Sequence, residues 1–304
     1  MTPQKDKLSR RNFLKITAGA AATVTVIPGL LHAGADKPKR TATDKVLLGQ
    51  SGISVSRLGM GTGSHSGRVQ RELGQEGFNN LVKYALEQGI TFFDTADNYG
   101  EMHEMLGKAI KNVDREKIQI QSKLSWGKFD DPMREIDRCR KEVGTDYFDS
   151  MLIHCVTSGD WVEKQKKLMD IFDEAKEKQI IRACGVSIHG FEPLTAASTF
   201  NWGDVRLVRI NHKGSVMDNP DGASWEQPAD VDAVVQKISL MHQSGKGIIG
   251  MKLVGDGTFT DAAVREQAIK FVMGLACVDA VVIGFKTPAE IDEAITNMNK
   301  YLAM

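Results

Sequence analysis

The chain has 304 residues, with 39 Lys and Arg side chains balanced by 39 Asp and Glu, so its formal net charge is zero. Because basic residues are not in excess, the chain lacks the charge that nucleic acid binding requires, and we exclude nucleic acid as a partner. The four cysteines are Cys139, Cys155, Cys184 and Cys277, and no two have the Cys-x-x-Cys spacing of a metal site. No metal is therefore expected, and whether any two form a disulfide stays open.

The N-terminal segment has the order of an export signal. A basic stretch containing Arg10-Arg11 precedes an uncharged apolar stretch over residues 16–31, and Ala33-Gly34-Ala35 is a small-x-small cleavage site. This order indicates a twin-arginine signal peptide cleaved after Ala35, with an ordinary amphipathic helix as the alternative. The apolar stretch is shorter than the ~20 residues that a membrane span needs.

The signal divides the chain into three parts: a signal peptide over residues 1–35, a linker over 36–44 and one domain over 45–304. It predicts a periplasmic or otherwise exported protein that meets the twin-arginine translocation (Tat) machinery during export. No stable membrane span is expected.

Within the domain, short apolar runs alternate with amphipathic helical patterns. A β-hairpin comes first, over residues 47–55, with Gln50-Ser51-Gly52 as its turn. The predicted strands that follow cover residues 58–61, 91–94, 117–123, 149–154, 181–187, 205–211, 247–252 and 280–283. The helical patterns cover residues 78–86, 100–111, 131–143, 162–178, 231–238, 262–276 and 291–302.

The alternation of eight strands with helical patterns predicts the fold class. Right-handed βαβ units repeated eight times close into a TIM (β/α)8 barrel, a domain of about 250 residues. An open doubly wound sheet is the alternative, but it usually has fewer strands, and no Gly-x-Gly-x-x-Gly follows the first strand. We therefore predict an α/β TIM barrel with an N-terminal β-hairpin, preceded by the cleavable signal segment.

Four side chains with proton-transfer chemistry lie at or just after predicted strands. Asp94, Lys123 and His154 each end a strand, and Tyr99 follows Asp94 by five residues. The carboxyl ends of barrel strands meet at one mouth, where active sites form. Taken singly, each residue has an ordinary alternative as a cap, a loop aromatic, a surface lysine or a core histidine. Their joint order predicts a catalytic cluster.

A tyrosine needs help to exchange protons near neutral pH, because its pKa is about 10. Lys123 is expected to stabilise the phenolate of Tyr99 and to lower its pKa, while Asp94 keeps Lys123 charged. His154 would orient a substrate oxygen or share the proton. The cluster suits carbonyl reduction, in which Tyr99 gives its proton to the carbonyl oxygen as hydride reaches the carbon.

Several strand-end segments form a recognisable set: Leu58-Gly59-Met60-Gly61-Thr62, Phe93-Asp94-Thr95-Ala96-Asp97-Asn98-Tyr99-Gly100, Ser122-Lys123, Gly144-Thr145-Asp146-Tyr147-Phe148-Asp149, Leu152-Ile153-His154 and Gly185-Val186-Ser187. This set resembles the strand motifs of the aldo-keto reductases, from about Lys45 to the C-terminus. The resemblance implies that Asp94, Tyr99, Lys123 and His154 are a catalytic tetrad. It also implies a nicotinamide cofactor, NADP or NAD with NADPH favoured, across the barrel mouth.

The resemblance also implies a set of cofactor contacts: Gly61, Thr62, Asp94, Ser187, Arg209, Met251, Lys252, Gly284 and Lys286. Three positions depart from the family pattern. Ile188 follows Ser187 where the family usually has asparagine, and Arg209 replaces a glutamine. Met251 stands where an aromatic ring normally stacks on the nicotinamide. Because Glu290 occupies a position where arginine is common, NADH is an alternative to NADPH.

Loops after the strands supply the remaining candidates. Trp126, Phe129, Trp161 and Trp225 are candidates for substrate contacts, with the alternative that they pin loops to the barrel rim. Lys286 is a candidate for the adenosine phosphate, with an exposed loop lysine as the alternative.

These observations predict an exported oxidoreductase that transfers hydride between a nicotinamide cofactor and an aldehyde, ketone, sugar or alcohol. One alternative is a nucleotide-binding redox sensor or regulatory barrel with little turnover, and another is a barrel that has lost the nucleotide. The retained tetrad favours the enzyme, whereas the altered nicotinamide contacts favour the sensor. Because twin-arginine signals direct folded proteins, a cofactor bound before export would travel with the protein.

Overall fold

The barrel predicted from the sequence is confirmed. The structure, a computed structural model, describes residues 40–125, 130–218 and 228–303. An antiparallel hairpin precedes eight parallel strands, which pair in chain order and close when the last strand pairs with the first. The strands are β1 (Lys45–Leu47), β2 (Ser54–Ser56), β3 (Leu58–Gly61), β4 (Phe92–Asp94), β5 (Gln119–Ser125), β6 (Phe148–Val156), β7 (Ile181–Ile188), β8 (Val205–Arg209), β9 (Gly247–Met251) and β10 (Ala280–Ile283).

Helices lie between consecutive barrel strands and cover the outside of the barrel. They are α1 (Arg68–Arg71), α2 (Gly74–Glu87), α3 (Met102–Ile110), α4 (Pro132–Val143), α5 (Trp161–Lys164), α6 (Lys166–Glu177), α7 (Phe191–Thr199), α8 (Val231–Gln243), α9 (Ala262–Met273) and α10 (Pro288–Leu302). The helix predicted over residues 162–178 is two helices that meet at Gln165. Helix α7 lies outside the predicted helical ranges. Its nine residues include Pro193, which the first turn tolerates because amides there have no intrahelical partner.

The strands alternate between two apolar environments. In β4, Phe92 packs inside the barrel and Phe93 packs outward with residues of the helices. Because successive residues of a strand point to opposite faces, residues two positions apart share a face. Asp94 therefore shares the inner face with Phe92, and His154 shares it with Leu152. The remaining members of the inner cluster are Leu48, Ile53, Val55, Ala183, Val205, Leu207, Ile249, Met251, Ala280 and Val282.

The hairpin covers the amino-terminal end of the barrel. Leu48 belongs to the inner cluster, and Gly49 forms an antiparallel bridge with Lys246, directly before β9. A Cβ on Gly247, the first residue of β9, would lie 2.6 Å from the Cβ of Leu48. Because Gly247 has no side chain, the hairpin packs closely against β9. The mouth is the opposite end of the barrel.

Two strands run two residues past the residues that were predicted to end them. The fourth barrel strand continues beyond His154 to Val156, with a register shift between Ile153 and Val156. Within that shift Cys155 has a φ of 56°, as in a β-bulge, which re-aims neighbouring side chains. The third barrel strand likewise continues to Ser125 rather than ending at Lys123.

The third barrel strand also starts later than predicted, because residues 115–117 form a 3-10 turn in which Asp114 caps the amide of Glu116. The sixth ends at Arg209 rather than at residue 211. Asn211 instead holds the following loop, since its side-chain oxygen accepts hydrogen bonds from the amides of Lys213 and Ser215.

Several sequence predictions fall on residues outside the described ranges. These are the signal segment, residues 36–39 of the linker, Trp126, Phe129 and Trp225. Over the part of the chain that the structure describes, no helix is long and apolar enough to cross a membrane. All four cysteines are described and are free thiols.

Candidate active site

The structure brings the four predicted proton-transfer residues together at the barrel mouth. Asp94 is the last residue of β4, and Lys123 and His154 lie near the ends of β5 and β6. Tyr99 lies in the loop between β4 and α3. Gly100 follows it with a φ of 63°, a left-handed turn that glycine adopts without strain. The spacing of the motif therefore places the phenol over the strand ends.

A buried ion pair forms the floor of this cluster. The Nζ of Lys123 lies 2.7 Å from Oδ1 and 2.8 Å from Oδ2 of Asp94, and it also donates to the carbonyl oxygen of Thr95 at 2.8 Å. The side chain of Gln121 donates to Oδ1 of Asp94 at 2.8 Å and is itself held by Ser150. With only 1% of Lys123 exposed, burial lowers its pKa, and the Asp94 charge opposes that shift.

Tyr99 is a protonated phenol in this environment. Burial and, next, the negative charge of Asp94 raise its pKa well above 10. The Nζ of Lys123 lies 5.1 Å from the centre of the phenol ring, but Asp94 largely offsets its charge. The lowered tyrosine pKa expected from the sequence is therefore wrong for this arrangement. At neutral pH Tyr99 holds a proton that it can donate.

His154 also contacts the phenol. Its Nε2 lies 3.4 Å from the Tyr99 hydroxyl, and the two rings meet edge to face with centroids 5.4 Å apart. Burial lowers the pKa of His154 below its usual 6.5, although Asp97 acts in the opposite direction. The imidazole is therefore neutral at pH 7.

Asp97, which was not predicted from the sequence to belong to the site, lies behind His154. Its carboxylate accepts hydrogen bonds from the amide and hydroxyl of Ser125, at 3.2 and 2.8 Å, and lies 3.8 Å from Nδ1 of His154. Burial acts to raise the pKa of Asp97, but the neighbouring His154 and the hydrogen bonds from Ser125 outweigh it and the pKa is lowered. Its position between Asp94 and Tyr99 in one short loop was the signal that could have found it.

Gly63 leaves the room that the phenol occupies. A Cβ at this position would lie 2.6 Å from both the hydroxyl oxygen and the Cζ of Tyr99. Such distances are shorter than any ordinary contact, so a side chain here would displace the hydroxyl.

The candidate cofactor contacts near β3 and β7 lie on the same mouth. Gly61 is the last residue of β3, and the hydroxyl of Thr62 donates to the backbone oxygen of Asp94 at 3.1 Å. Ser187 is fully buried, and its hydroxyl has no hydrogen-bond partner among the described residues. Ile188, beside it, packs outward with the helices. A buried, unpartnered hydroxyl on the inner face is a site that a polar ligand group would satisfy.

Arg209 forms an ion pair with Asp218, which was not predicted from the sequence. Its Nε donates to Oδ1 of Asp218 at 2.7 Å, a second guanidinium nitrogen contacts the same oxygen, and both side chains are fully buried. Burial raises the pKa of Asp218 to about 6 despite the opposing charge of Arg209. The predicted cofactor contact Arg209 is thus at the mouth but already engaged by the loop after β8.

The candidates after β9 and β10 differ in their surroundings. Met251 packs in the inner cluster, and Lys252 pairs with Asp256 at 2.7 Å. Gly284 follows β10, and a Cβ there would lie 2.2 Å from the hydroxyl oxygen of Ser64. Lys286 is exposed in the loop before α10, which leaves its side chain able to reach a ligand at the rim.

Trp161, the described tryptophan among the substrate candidates, is 2% exposed and packs beneath α7. Its Nε1 donates to the carbonyl oxygen of Pro193 at 3.3 Å, and its ring meets Phe200 edge to face. These contacts favour the alternative that it pins a loop to the barrel.

The mouth of this eight-stranded barrel brings together a phenol, an ammonium, a carboxylate and an imidazole. This arrangement defines a class of barrel suited to proton transfer. The family model of the aldo/keto reductase family matches residues 57–272. The chain therefore belongs to this family. A second model, for the twin-arginine translocation pathway signal sequence, matches residues 7–26 and supports export.

Individual relatives agree with this assignment. "Probable aldo-keto reductase 1" of Glycine max is 34% identical over 236 residues, which are 73% of this chain and 62% of the relative. Aldo-keto reductase YhdN of Bacillus subtilis is 31% identical over 241 residues, 74% of this chain and 69% of the relative. The chain thus spans somewhat less than two thirds of the Glycine max protein.

Solved structures show the same fold. An aldo-keto reductase from Bacillus halodurans, in its holo form, matches with a TM-score of 0.65 at 18% identity, over 86% of this chain and 95% of that one. An aldo-keto reductase from Klebsiella pneumoniae in complex with NADPH matches with a TM-score of 0.60 at 16% identity, over 84% and 89% of the two chains.

Proposed function

We propose that the protein is an exported oxidoreductase that transfers hydride between a nicotinamide cofactor and an aldehyde, ketone, sugar or alcohol. The observation that carries the proposal is the phenol of Tyr99, which lies next to the Lys123–Asp94 ion pair and to His154. Membership of the aldo/keto reductase family supports an oxidoreductase.

Tyr99 is proposed as the general acid of carbonyl reduction and the general base of alcohol oxidation. Lys123 would stabilise the phenolate that is left after proton donation, and Asp94 keeps the ammonium in place. His154 lies 3.4 Å from the hydroxyl, where it would share the proton. General acid–base catalysis of this kind typically contributes about 10²- to 10⁴-fold in rate.

The residues at the mouth fit a nicotinamide cofactor, NADP or NAD. The buried hydroxyl of Ser187 would pair with the carboxamide of the ring, because it has no partner among the described residues. Lys252 and the exposed Lys286 would face the phosphates. The bound nicotinamide would supply or accept the hydride. NADPH is favoured because of the family and because the Klebsiella pneumoniae structure contains it.

Export completes the proposal. We infer that the Tat machinery carries the folded protein, that cleavage follows Ala35 and that the mature protein acts in the periplasm or beyond. A cofactor bound in the cytoplasm would then travel with the barrel.

The cofactor proposal is tested by calorimetric titration of the mature protein, from Asp36 onward, with NADPH and NADH. Saturable binding of at least one is expected. Ser187→Ala is expected to weaken it about fivefold, the effect of one neutral hydrogen bond. Ser198→Ala, which removes a hydroxyl on α7 that bonds its own helix, should leave the affinity unchanged. If neither nucleotide binds, the cofactor assignment is wrong.

Gly63→Ala tests the placement of the phenol. The added methyl would overlap the Tyr99 hydroxyl, so we expect turnover to fall roughly 10- to 100-fold, as small misplacements of a catalytic group do. Nucleotide affinity is expected to change little. Turnover equal to that of the parent would show that the position of the hydroxyl does not limit the reaction.

A further inference from the structure

We propose that Asp97 is a positioning residue that fixes the tautomer of His154, so that Nε2 faces Tyr99 as a proton acceptor. The kinetic consequence rests on the function proposed above, whereas the tautomer itself does not. Neither the tetrad nor the cofactor contacts predicted from the sequence include Asp97.

The carboxylate of Asp97 is anchored. Only 4% of the side chain is exposed, and the amide and hydroxyl of Ser125 both donate to its Oδ1. That same oxygen lies 3.8 Å from Nδ1 of His154, about 0.8 Å beyond an ordinary N–H···O distance of ~3.0 Å. Nδ1 is buried and has no hydrogen-bond partner among the described residues. A proton on Nδ1 would therefore have the carboxylate of Asp97 as its neighbouring acceptor.

The charge of Asp97 selects between the two neutral forms of the imidazole. A proton on Nδ1 points at a carboxylate and is attracted to it, whereas a lone pair on Nδ1 would face the same negative charge. Which ring nitrogen carries the proton is set by the partner of the other nitrogen. With the proton on Nδ1, the Nε2 lone pair accepts from the Tyr99 hydroxyl, 3.4 Å away.

Other charged groups around His154 do not reverse this choice. Lys123 and Asp94 act on the ring with opposite signs, and they neutralise one another as a pair. His189 also lies close enough to interact, and burial lowers its pKa well below 6.5, so it is neutral. Asp97 is thus the net charge that faces the Nδ1 side.

Tyr99 consequently has two carboxylate-anchored neighbours with different tasks. Lys123, held by Asp94, stabilises the phenolate, and His154, held by Asp97, receives the phenol proton on Nε2. In alcohol oxidation the substrate hydroxyl would give its proton to the Tyr99 oxygen while the phenol proton passes to Nε2, and reduction would run the same transfers in reverse. Asp97 also stabilises the imidazolium that results, in the way a carboxylate supports a catalytic histidine elsewhere. Because both directions cross the same transition state, both should depend on Asp97.

The tautomer is measured directly by long-range ¹H–¹⁵N correlation of the histidine rings in the mature protein without nucleotide. The chain has seven histidines, six of which follow Ala35, and His154→Gln identifies the signal of His154. We expect the parent protein to carry the proton on Nδ1. Asp97→Ala is expected to move the population toward the Nε2–H form. Asp97→Asn keeps an oxygen next to Ser125 without the charge and should fall between the two.

Asp256→Asn is the matched control, since it removes a carboxylate at the mouth that pairs with Lys252 rather than with His154. It should leave the His154 tautomer as in the parent. An Nε2–H form in the parent would overturn the proposal without any variant, and so would an Asp97→Ala protein that keeps Nδ1–H.

Kinetics provide a second readout at neutral pH. Asp97→Asn is expected to lower kcat/KM for alcohol oxidation and for carbonyl reduction by similar factors, about tenfold, a fraction of the usual acid–base contribution. Unchanged kcat/KM in both directions would contradict the role of Asp97 in proton transfer. If the parent turns over no carbonyl or alcohol at all, the proposed function fails while the ring spectra still decide the tautomer.

Discussion

Tyr99→Phe is expected to reduce turnover by about 10²- to 10⁴-fold, the range that a general acid contributes. Phenylalanine fills the same space between Lys123 and His154 but has no proton to give. Because the hydroxyl makes one hydrogen bond among the described residues, to His154 at 3.4 Å, the fold and the nucleotide affinity should be nearly unchanged. The measurement is kcat with a panel of small aldehydes and ketones, together with nucleotide binding by calorimetry.

This variant also separates the enzyme from the regulatory barrel that the sequence leaves open. An enzyme loses turnover and keeps its nucleotide. A sensor shows the same low activity before and after the change. Tyr84→Phe, on α2 with its hydroxyl bonded to Asp292, is the control and should keep full activity. Tyr99→Phe activity equal to that of the parent would show that Tyr99 is not the acid.

Asp94→Asn is expected to lower the free energy of unfolding at pH 7 by about 3–5 kcal/mol, the cost of leaving one member of a buried ion pair without its partner. Lys123 is 1% exposed, so water does little to solvate its charge. Urea denaturation at pH 7 measures the loss. Asp94→Asn combined with Lys123→Met removes both charges and should recover most of it.

The loss should shrink as the pH rises. In the parent, burial already places the pKa of Lys123 below its unfolded value of about 10.5, and Asp94 opposes that shift. Without Asp94 the pKa falls further. Between the folded and unfolded pKa values the unfolded chain binds more protons, so stability increases with pH there. A deficit that is the same at pH 7 and pH 9.5 would argue against a charged Lys123 as its cause.

Strand order and the inward faces were predictable because each depends on local spacing. The alternation of apolar runs with helical periodicity specifies the barrel, and a side chain two positions from Phe92 or Leu152 must share its face. Helix α7 was not located, since nine residues with Pro193 among them carry little periodicity. The extension of β6 to Val156 depends on a bulge at Cys155, which pairing with β7 decides rather than the residues themselves.

The same distinction between local spacing and tertiary packing applies to the residues of the candidate site. Asp94, Lys123 and His154 could be placed from strand positions alone. The pairing of Arg209 with Asp218 could not, because it joins the end of β8 to a loop nine residues later whose path follows from tertiary packing. The pKa of Tyr99 was predicted with the wrong sign for a related reason: burial is a property of the assembled mouth.

The hairpin beneath the barrel has a consequence for the dielectric environment of the tetrad. With Leu48, Ile53 and Val55 filling the amino-terminal end, the interior is a well that opens on one side in the described structure. A ligand bound over the mouth would exclude bulk water from Lys123, Asp94 and His154 together. Each electrostatic contact among them would then strengthen, since water would no longer screen it. Because the hairpin closes one end of the barrel, a ligand bound at the other end would lower the effective dielectric constant around the groups that transfer protons.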